Sequence, residues 1–361
     1  MYFIATKSII TTALNNAILK GTLLVNVRQT EDSIVFENND ESTAIRINVT
    51  KEIDPDLTLN GTGEFTANSQ VLLSAFKGID TDMVRVDKSD VYVVVKGDKS
   101  KTKINTVMKD ISGDNFVKPS IKLEIETKMI IDIINSVAFA VSGDTLSRPV
   151  LTGVNLNYDG MVLTAIATDS YRLAVKEYDI PFGNTFSITL PARSLLALKT
   201  LFTGEKLTMY IDERIAIFED DVVTYKTTLL SGKYPDVERL IPTEFEQKMS
   251  ISRVDLLSSL NRILFIKTDQ KSIVKLVLND EEKTLYASNQ EIGEASERLD
   301  DVEFEGPDLS VSFDASYMKD ALEGLNGDVV EIKFSGDLKP FTVTDGDNAT
   351  IQLLLPVRTL S

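Results

Sequence analysis

The sequence predicts an α+β chain of three similar modules, each a pair of helices laid over antiparallel strands. Two observations carry this expectation: a pair of short patterns recurs in the same order, and alternating apolar runs fill the intervals between them.

The first pattern reads FIATKSIITTALNNAIL from Phe3, LEIETKMIIDIINSVAFAV from Leu123 and MSISRVDLLSSLNRILF from Met249. Each copy opens with a short alternating strand. A Thr or Ser follows, then a base, then apolar residues at helical spacing. The bases are Lys7, Lys128 and Arg253, separated by 121 and 125 residues. Ile10, Ala13, Leu14, Ala17 and Ile18 share a face in the first copy, as Leu256, Leu257, Leu260, Ile263 and Leu264 do in the third. Thr6, Thr127 and Ser252 are the expected N-caps, since a hydroxyl there accepts a free first-turn N–H. Asp255 adds to the third start through the helix dipole.

The second pattern reads EFTANSQVLLSAFKGID from Glu64, TLPARSLLALKTLFTGE from Thr189 and SFDASYMKDALEGLNGD from Ser312. Ala67, Ala192 and Ala315 align at intervals of 125 and 123. About three helical turns should follow each, and then Gly78, Gly204 or Gly327, since a glycine past a helix end supplies the left-handed position cheaply. Strands follow each helix, in DMVRVDKSDVYVVV, KLTMYIDERIAIFE and VVEIKFSGDLKPFTV. Others lie between the helices, and Asn157-Tyr158-Asp159-Gly160 reads as a turn between two of them. Polar or proline-marked junctions at Lys118-Pro119 and across Pro242 to Gln247 set the modules at residues 1–118, 119–244 and 245–361.

Composition narrows the chemistry. The chain has 361 residues and 43% hydrophobic content, ample for two or three domains. It contains no Cys and no His, which removes Cys/His zinc sites, disulfides, His bases and Cys nucleophiles. The opening MYFIATKSIITTALNN lacks a basic lead and reads as strand then helix, so an intracellular protein is expected. No uncharged apolar run has the roughly 18–20 residues of a bilayer span.

The formal charge is −17, from 38 Lys and Arg against 55 Asp and Glu. Yet the helices repeat positive charge: Lys7, Lys128, Arg253 and Arg262 on the first helices, and Lys77, Arg193, Lys199 and Lys319 on the second. Two readings stand side by side. One is an ordinary solvated helix face; the other is a surface of equivalent helices meeting a polyanion through sequence-blind phosphate contacts. P-loop, dinucleotide-binding and zinc-finger patterns are missing.

An enzyme reading finds little support. Asp220-Asp221 and Asp300-Asp301 are adjacent pairs, and neighbours in a strand point to opposite faces. Ser170 and Tyr171 have no histidine to activate them, and Lys176 stands alone beside a strand. No nucleophile, base and oxyanion set converges, and no catalytic residue, cofactor or metal is implied.

Several further stretches resemble the bacterial DNA polymerase III beta subunits, the replication sliding clamps. RPVLTGVNLN (Arg148 to Asn157) and ATDSYRLAV (Ala167 to Val175) resemble parts of the family's middle domain. SGKYPDVERLIP (Ser231 to Pro242) resembles the stretch that joins it to the last. ASNQEIGEASE (Ala287 to Glu297), SFDASYMKDAL (Ser312 to Leu322) and LLLPVR (Leu353 to Arg358) resemble last-domain segments. The likeness spans nearly the whole chain and marks a divergent member.

The resemblance implies the DNA-clamp fold in a head-to-tail homodimeric ring, with helices inside, sheets outside and duplex DNA through the hole. It implies a non-catalytic processivity factor at the replication fork, in the cytoplasm, opened by an ATP-driven clamp loader. Polymerase, loader and repair proteins would dock by short linear peptides in a hydrophobic pocket. Carried over, that pocket comprises Arg148, Thr168, Ser170, Tyr171, Arg172, Leu173, Pro242, Leu353, Leu355, Pro356, Val357 and Arg358. The eight helix bases would face DNA. Phe265 and Ile266 would meet Val71, Leu72 and Ala75 of a partner at the dimer seam, and Lys101 and Lys103 would meet acids near Glu294, Glu297 and Asp301. A non-DNA peptide-docking scaffold that kept the fold is the alternative. Two departures stand out. Leu19 to Leu23 replaces a longer basic loop, and Leu355 and Val357 stand where methionines are common, which stiffens the pocket.

Overall fold

The computed structural model describes residues 1–108, 116–146, 148–180, 184–267, 271–346 and 349–358. Within them a strand–helix–strands–helix–strands order occurs three times. The first run is β1 (Tyr2–Thr6), α1 (Lys7–Ala17), β2 (Leu24–Gln29), β3 (Ser33–Asn39), β4 (Thr43–Thr50), β5 (Thr58–Asn60), β6 (Gly63–Asn68), α2 (Ser69–Lys77), β7 (Met83–Lys88), β8 (Tyr92–Lys96) and β9 (Lys101–Asn105). The second is β10 (Ile121–Glu126), α3 (Thr127–Val137), β11 (Gly153–Tyr158), β12 (Val162–Thr168), β13 (Arg172–Asp179), β14 (Phe186–Pro191), α4 (Ala192–Leu201), β15 (Lys206–Ile211), β16 (Ile215–Glu219) and β17 (Val223–Thr228). The third is β18 (Gln247–Ser252), α5 (Arg253–Ile263), β19 (Ile273–Leu278), β20 (Lys283–Asn289), β21 (Gly293–Arg298), β22 (Glu303–Glu305), β23 (Leu309–Asp314), α6 (Ala315–Glu323), β24 (Val329–Phe334), β25 (Phe341–Thr344) and β26 (Thr350–Leu354).

The chain divides into two compact units. Met1–Lys128 with Ala197–Leu229 forms one; Met129–Leu196 with Leu230–Ser361 forms the other. Among the described residues every strand pairing in both is antiparallel, which lets one sheet face sit on the core while the other is solvated.

The first unit holds a five-stranded sheet, β5-β1-β7-β8-β9, and an eight-stranded sheet, β10-β15-β16-β17-β4-β3-β2-β6. The apolar stripes of its helices turn inward as their spacing predicts: Ile10, Leu14 and Ala17 on α1, Leu72 and Phe76 on α2, all fully buried. The shortened Leu19–Leu23 connection closes as a tight turn. Gly21 takes a left-handed φ of 90°, and Thr22 donates to the Leu19 carbonyl through both N–H and hydroxyl.

The second unit holds a nine-stranded sheet, β14-β11-β12-β13-β26-β25-β24-β18-β22, and a four-stranded sheet, β21-β20-β19-β23. Phe341 anchors its core, with ring centroids 5.7 Å from Phe313 and 5.2 Å from Phe334. Burying one such side chain contributes roughly 1.5–3 kcal/mol.

The repeats are joined by strands. In the first unit β17 of the second run pairs with β4 of the first. In the second unit β13 of the second run pairs with β26 of the third. Two strands in the corresponding positions, β9 and β21, each end a sheet, with no further strand beside them among the described residues.

Two local expectations are corrected. Only Ser252 of the three expected caps accepts a first-turn N–H, from Asp255 at 3.4 Å. Thr6 instead turns to the buried Asp54, giving its N–H to one carboxylate oxygen and its hydroxyl to the other, both at 2.7 Å. Thr127 becomes the first helical residue, its hydroxyl buried without a partner. Nor do Gly78, Gly204 and Gly327 adopt a left-handed conformation. Gly327 is required by space: a Cβ there would meet the Asp345 Cβ at 2.7 Å. The Asn157–Gly160 turn is as predicted, with Gly160 at φ 108° and the Asp159 carboxylate accepting the Met161 and Val162 N–H groups.

Candidate functional site

ATDSYRLAV folds as the β12–β13 hairpin of the second unit. Asp169 builds the turn, one oxygen accepting the N–H groups of Tyr171 and Arg172 at 2.9 and 3.0 Å. The Thr168 hydroxyl closes it, donating to the Arg172 carbonyl at 2.6 Å and accepting the Ser170 N–H at 3.1 Å. Ser170 sits at the tip with a left-handed φ of 77°. The turn therefore holds Tyr171 exposed while Leu173 is buried.

Leu173 stands opposite Leu353 in the β13–β26 pairing. Both enter a small apolar cluster with Leu151, Ile166, Val175, Tyr234 and Val237, against which Val150, Ile241 and Ile351 pack. The Tyr234 hydroxyl accepts the Thr168 N–H at 3.1 Å. Burial pushes that hydroxyl's pKa far above its ordinary range, so it stays protonated. At the rim, Leu355 donates its N–H to the Tyr171 carbonyl at 3.0 Å, and Val357 donates to the Ser312 carbonyl at 2.7 Å. Leu355 is 36% exposed, Pro356 and Val357 are half-buried, and Arg148 and Arg358 are exposed. Pro242 lies half-buried next to Ile241. The Lys271 ammonium lies 5.5 Å from the Tyr171 ring centroid.

Arg172 has an internal task. Its guanidinium donates to Asp169 at 3.0 Å, to Asp320 on α6 at 2.5 Å and to the Phe139 carbonyl at 2.7 Å. It also lies 4.3 Å from the Tyr317 ring centroid. With the side chain 11% exposed, it positions the hairpin more than it offers donors to a ligand. Tyr234, Tyr317, Val237, Ile241 and Leu151 were missed as site residues from sequence. Tyr234, Val237 and Ile241 fall inside SGKYPDVERLIP, of which the resemblance carries only Pro242 into the pocket.

The eight helix bases differ in how they are held. Lys7 donates to the Ile79 carbonyl at 2.6 Å, just beyond α2. Arg253 does the equivalent beyond α6, reaching the Gly327 carbonyl at 2.8 Å. In the first and third repeats the recurring base thus ties the first helix to the end of the second. Lys128 pairs with Glu126 at 2.8 Å, Arg262 with Glu297 and Lys319 with Glu323 at 3.8 Å. Lys77, Arg193 and Lys199 are exposed. Together the helices carry these eight bases against four acids, Asp132, Asp255, Asp320 and Glu323, in a chain where acids outnumber bases overall.

Of the residues read as a seam, Phe265 and Val71 are exposed at 64% and 48%. Ile266, Leu72 and Ala75 are buried in their own cores. Lys101 and Lys103 are exposed on the end strand β9, and on the end strand β21 Glu294 is exposed while Glu297, on the opposite face, is held by Arg262. Among the described residues no group of three or more acids is placed to hold a metal. Asp220 is occupied as a turn former, accepting the Val222 and Val223 N–H groups.

Residues 124–236 match the family model of the DNA polymerase III beta subunit central domain, and residues 238–358 match that of its C-terminal domain. The beta sliding clamp of Streptococcus pneumoniae is 33% identical over 291 residues, covering 79% of this chain and 75% of that protein. That of Bacillus subtilis is 28% identical over 350 residues, covering 93% and 91%. The crystal structure of the S. pneumoniae DNA polymerase III beta chain superposes with a TM-score of 0.92 at 27% identity, over 99% of this chain and 100% of that one. The chain belongs to the DNA polymerase III beta subunit family, the beta sliding clamps.

Proposed function

We propose that two copies of this chain close head to tail around duplex DNA and tether polymerase and other client proteins to it at the bacterial replication fork. The contribution is topological and breaks no bond. One observation carries the reading: each repeat is joined to the next through a strand pair, β17–β4 and β13–β26, and the two strands left over, β9 and β21, are the matching halves of a third such pair. No chain can make that pair with itself if the joins all turn the same way, so a second copy supplies it and closes a ring of six modules. The modules are residues 1–118, 119–244 and 245–361.

Charge supports the arrangement. Lys101 and Lys103 on one edge are set against Glu294 on the other in this pairing, which favours the correct register. Helices that carry an excess of bases within a chain of charge −17 suit a bore for DNA. Exposed Lys77, Arg193 and Lys199 meet phosphates there without reading bases, and acids elsewhere discourage DNA from adhering outside. Such contacts hold the duplex without arresting it.

Client peptides dock on the Leu173–Leu353 cluster. Tyr171, Leu355, Pro356, Val357 and Pro242 frame it, Thr168 and Ser170 shape the turn, and Arg148 and Arg358 supply rim charge. Primer extension by a bacterial replicative polymerase, with clamp loader and ATP, tests the reading. The chain lengthens the products made in one binding event, and Leu355→Asp abolishes the gain. Peptide binding without any gain in length favours a scaffold that has left DNA.

A further inference from the structure

A cleft of about 1020 Å³ lies in the first unit, between α1, the end of α4 and the β16–β17 turn. None of its lining residues belongs to the Leu173 cluster. Its size is at the upper end for ligand cavities, enough for two or three side chains. Ala13, Val49 and Leu201 form a buried apolar floor, and Ile9, Ile53 and Val222 leave apolar surface open above it. Ile53 is 39% exposed.

The lip is acidic. Glu205, Asp220 and Asp221 line it, and among the described residues no basic side chain forms an ion pair with any of them. Lys206 also lines the cleft, but its ammonium pairs with Glu124 at 2.8 Å, and nearby Lys118 pairs with Glu219 at 2.5 Å. Asp220 is fixed by the Val222 and Val223 N–H groups, so the turn that carries Asp221 is built. Carboxylates at this density repel phosphates, which excludes DNA as the occupant. The apolar floor gives a bare polycation nothing to bury.

We propose that this cleft docks a protein segment carrying an aliphatic side chain flanked by lysine or arginine. The aliphatic group covers Ile9, Ile53 and Val222, and the cations pair with Asp221 and Glu205. The chain then has two peptide sites of opposite character, so a client can hold this one without competing for the Leu173 cluster. The proposal does not depend on the ring.

The test is fluorescence anisotropy on the full chain at about 0.15 M salt, where long-range attraction is screened beyond about 8 Å. The probe is labelled acetyl-Gly-Arg-Ile-Leu-Arg-Gly. It binds at least about tenfold tighter than the Gly-Arg-Ser-Ser-Arg-Gly and Gly-Glu-Ile-Leu-Glu-Gly versions, and Asp221→Lys and Ile53→Ser each weaken it by about tenfold. Leu355→Asp leaves it unchanged. The proposal is overturned by equal binding of the serine version, by displacement with spermidine at matched charge, or by retention of affinity in either cleft variant. Loss of binding in Leu355→Asp also overturns it, because the probe then sits in the other site.

Discussion

Leu173 and Leu353 oppose one another across β13 and β26, and each is almost wholly buried beneath a rim formed by Tyr171 and Leu355. The floor and the rim therefore answer to different experiments. Leu173→Ala opens a cavity and lowers stability by about 2–4 kcal/mol, read by urea denaturation. Leu355→Asp leaves stability nearly unchanged but reduces affinity for a polymerase-derived clamp-binding peptide by at least about tenfold, read by anisotropy. Unchanged peptide affinity in Leu355→Asp places the docking site elsewhere.

Arg172 bridges the β12–β13 hairpin to Phe139 and to Asp320 on α6. Arg172→Ala leaves Asp169 and the Phe139 carbonyl short of donors, and unfolding free energy falls by about 3 kcal/mol. Arg172→Lys recovers little, because an ammonium cannot reach three partners in the plane of a guanidinium fork. Full recovery with lysine would show that charge alone matters there.

Asp132 on α3 gives a pH dependence with a definite sign. Burial alone raises its pKa, but hydrogen bonds from Tyr178 and Asn326 and the Lys176 ammonium at 3.5 Å outweigh it, leaving the value below the ordinary 3.8. A carboxylate with a lowered folded pKa stabilises the fold above its unfolded pKa and loses that contribution as pH falls through the folded one. Asp132→Asn thus costs about 1 kcal/mol at pH 7, allowing for partial exposure, and the deficit shrinks below about pH 4. Urea titrations at neutral and acid pH measure it; a deficit that grows on acidification contradicts the assignment.

At the open edges, Lys101→Glu with Lys103→Glu places like charges opposite Glu294. Dimer affinity falls by at least about tenfold, with the loss largest at low salt. Sedimentation velocity reads the change, and Glu294→Lys restores part of it. A dimer indifferent to all three substitutions has its seam on another surface.

Much of this was legible in the residues. The recurring base, the apolar stripes and the repeated Ala–helix–Gly pattern follow from local periodicity, and periodicity survives folding. The Leu173 and Leu353 floor was reached through short stretches whose order matched a known family. Tyr234 escaped because its role arises from a bond to Thr168, 66 residues away, that only the fold creates. Lys7 and Arg253 illustrate a different limit. Their recurrence was visible, but their carbonyl partners beyond α2 and α6 were not, since those contacts span more than 70 residues. Ile266, Leu72 and Ala75 sit at helix ends or faces where one turn separates core from surface, and spacing alone does not choose between them.

The chain has no cysteine, which makes ring closure directly measurable. Lys103→Cys on β9 and Ser296→Cys on β21 in one chain place a thiol on each side of both proposed seams. After loading onto nicked circular DNA, a short bis-maleimide linker seals the ring covalently. The account predicts that the sealed protein stays with the circle in denaturing detergent and leaves when the DNA is cut once. Equal release from circular and linear DNA, with cross-linking complete, would contradict it.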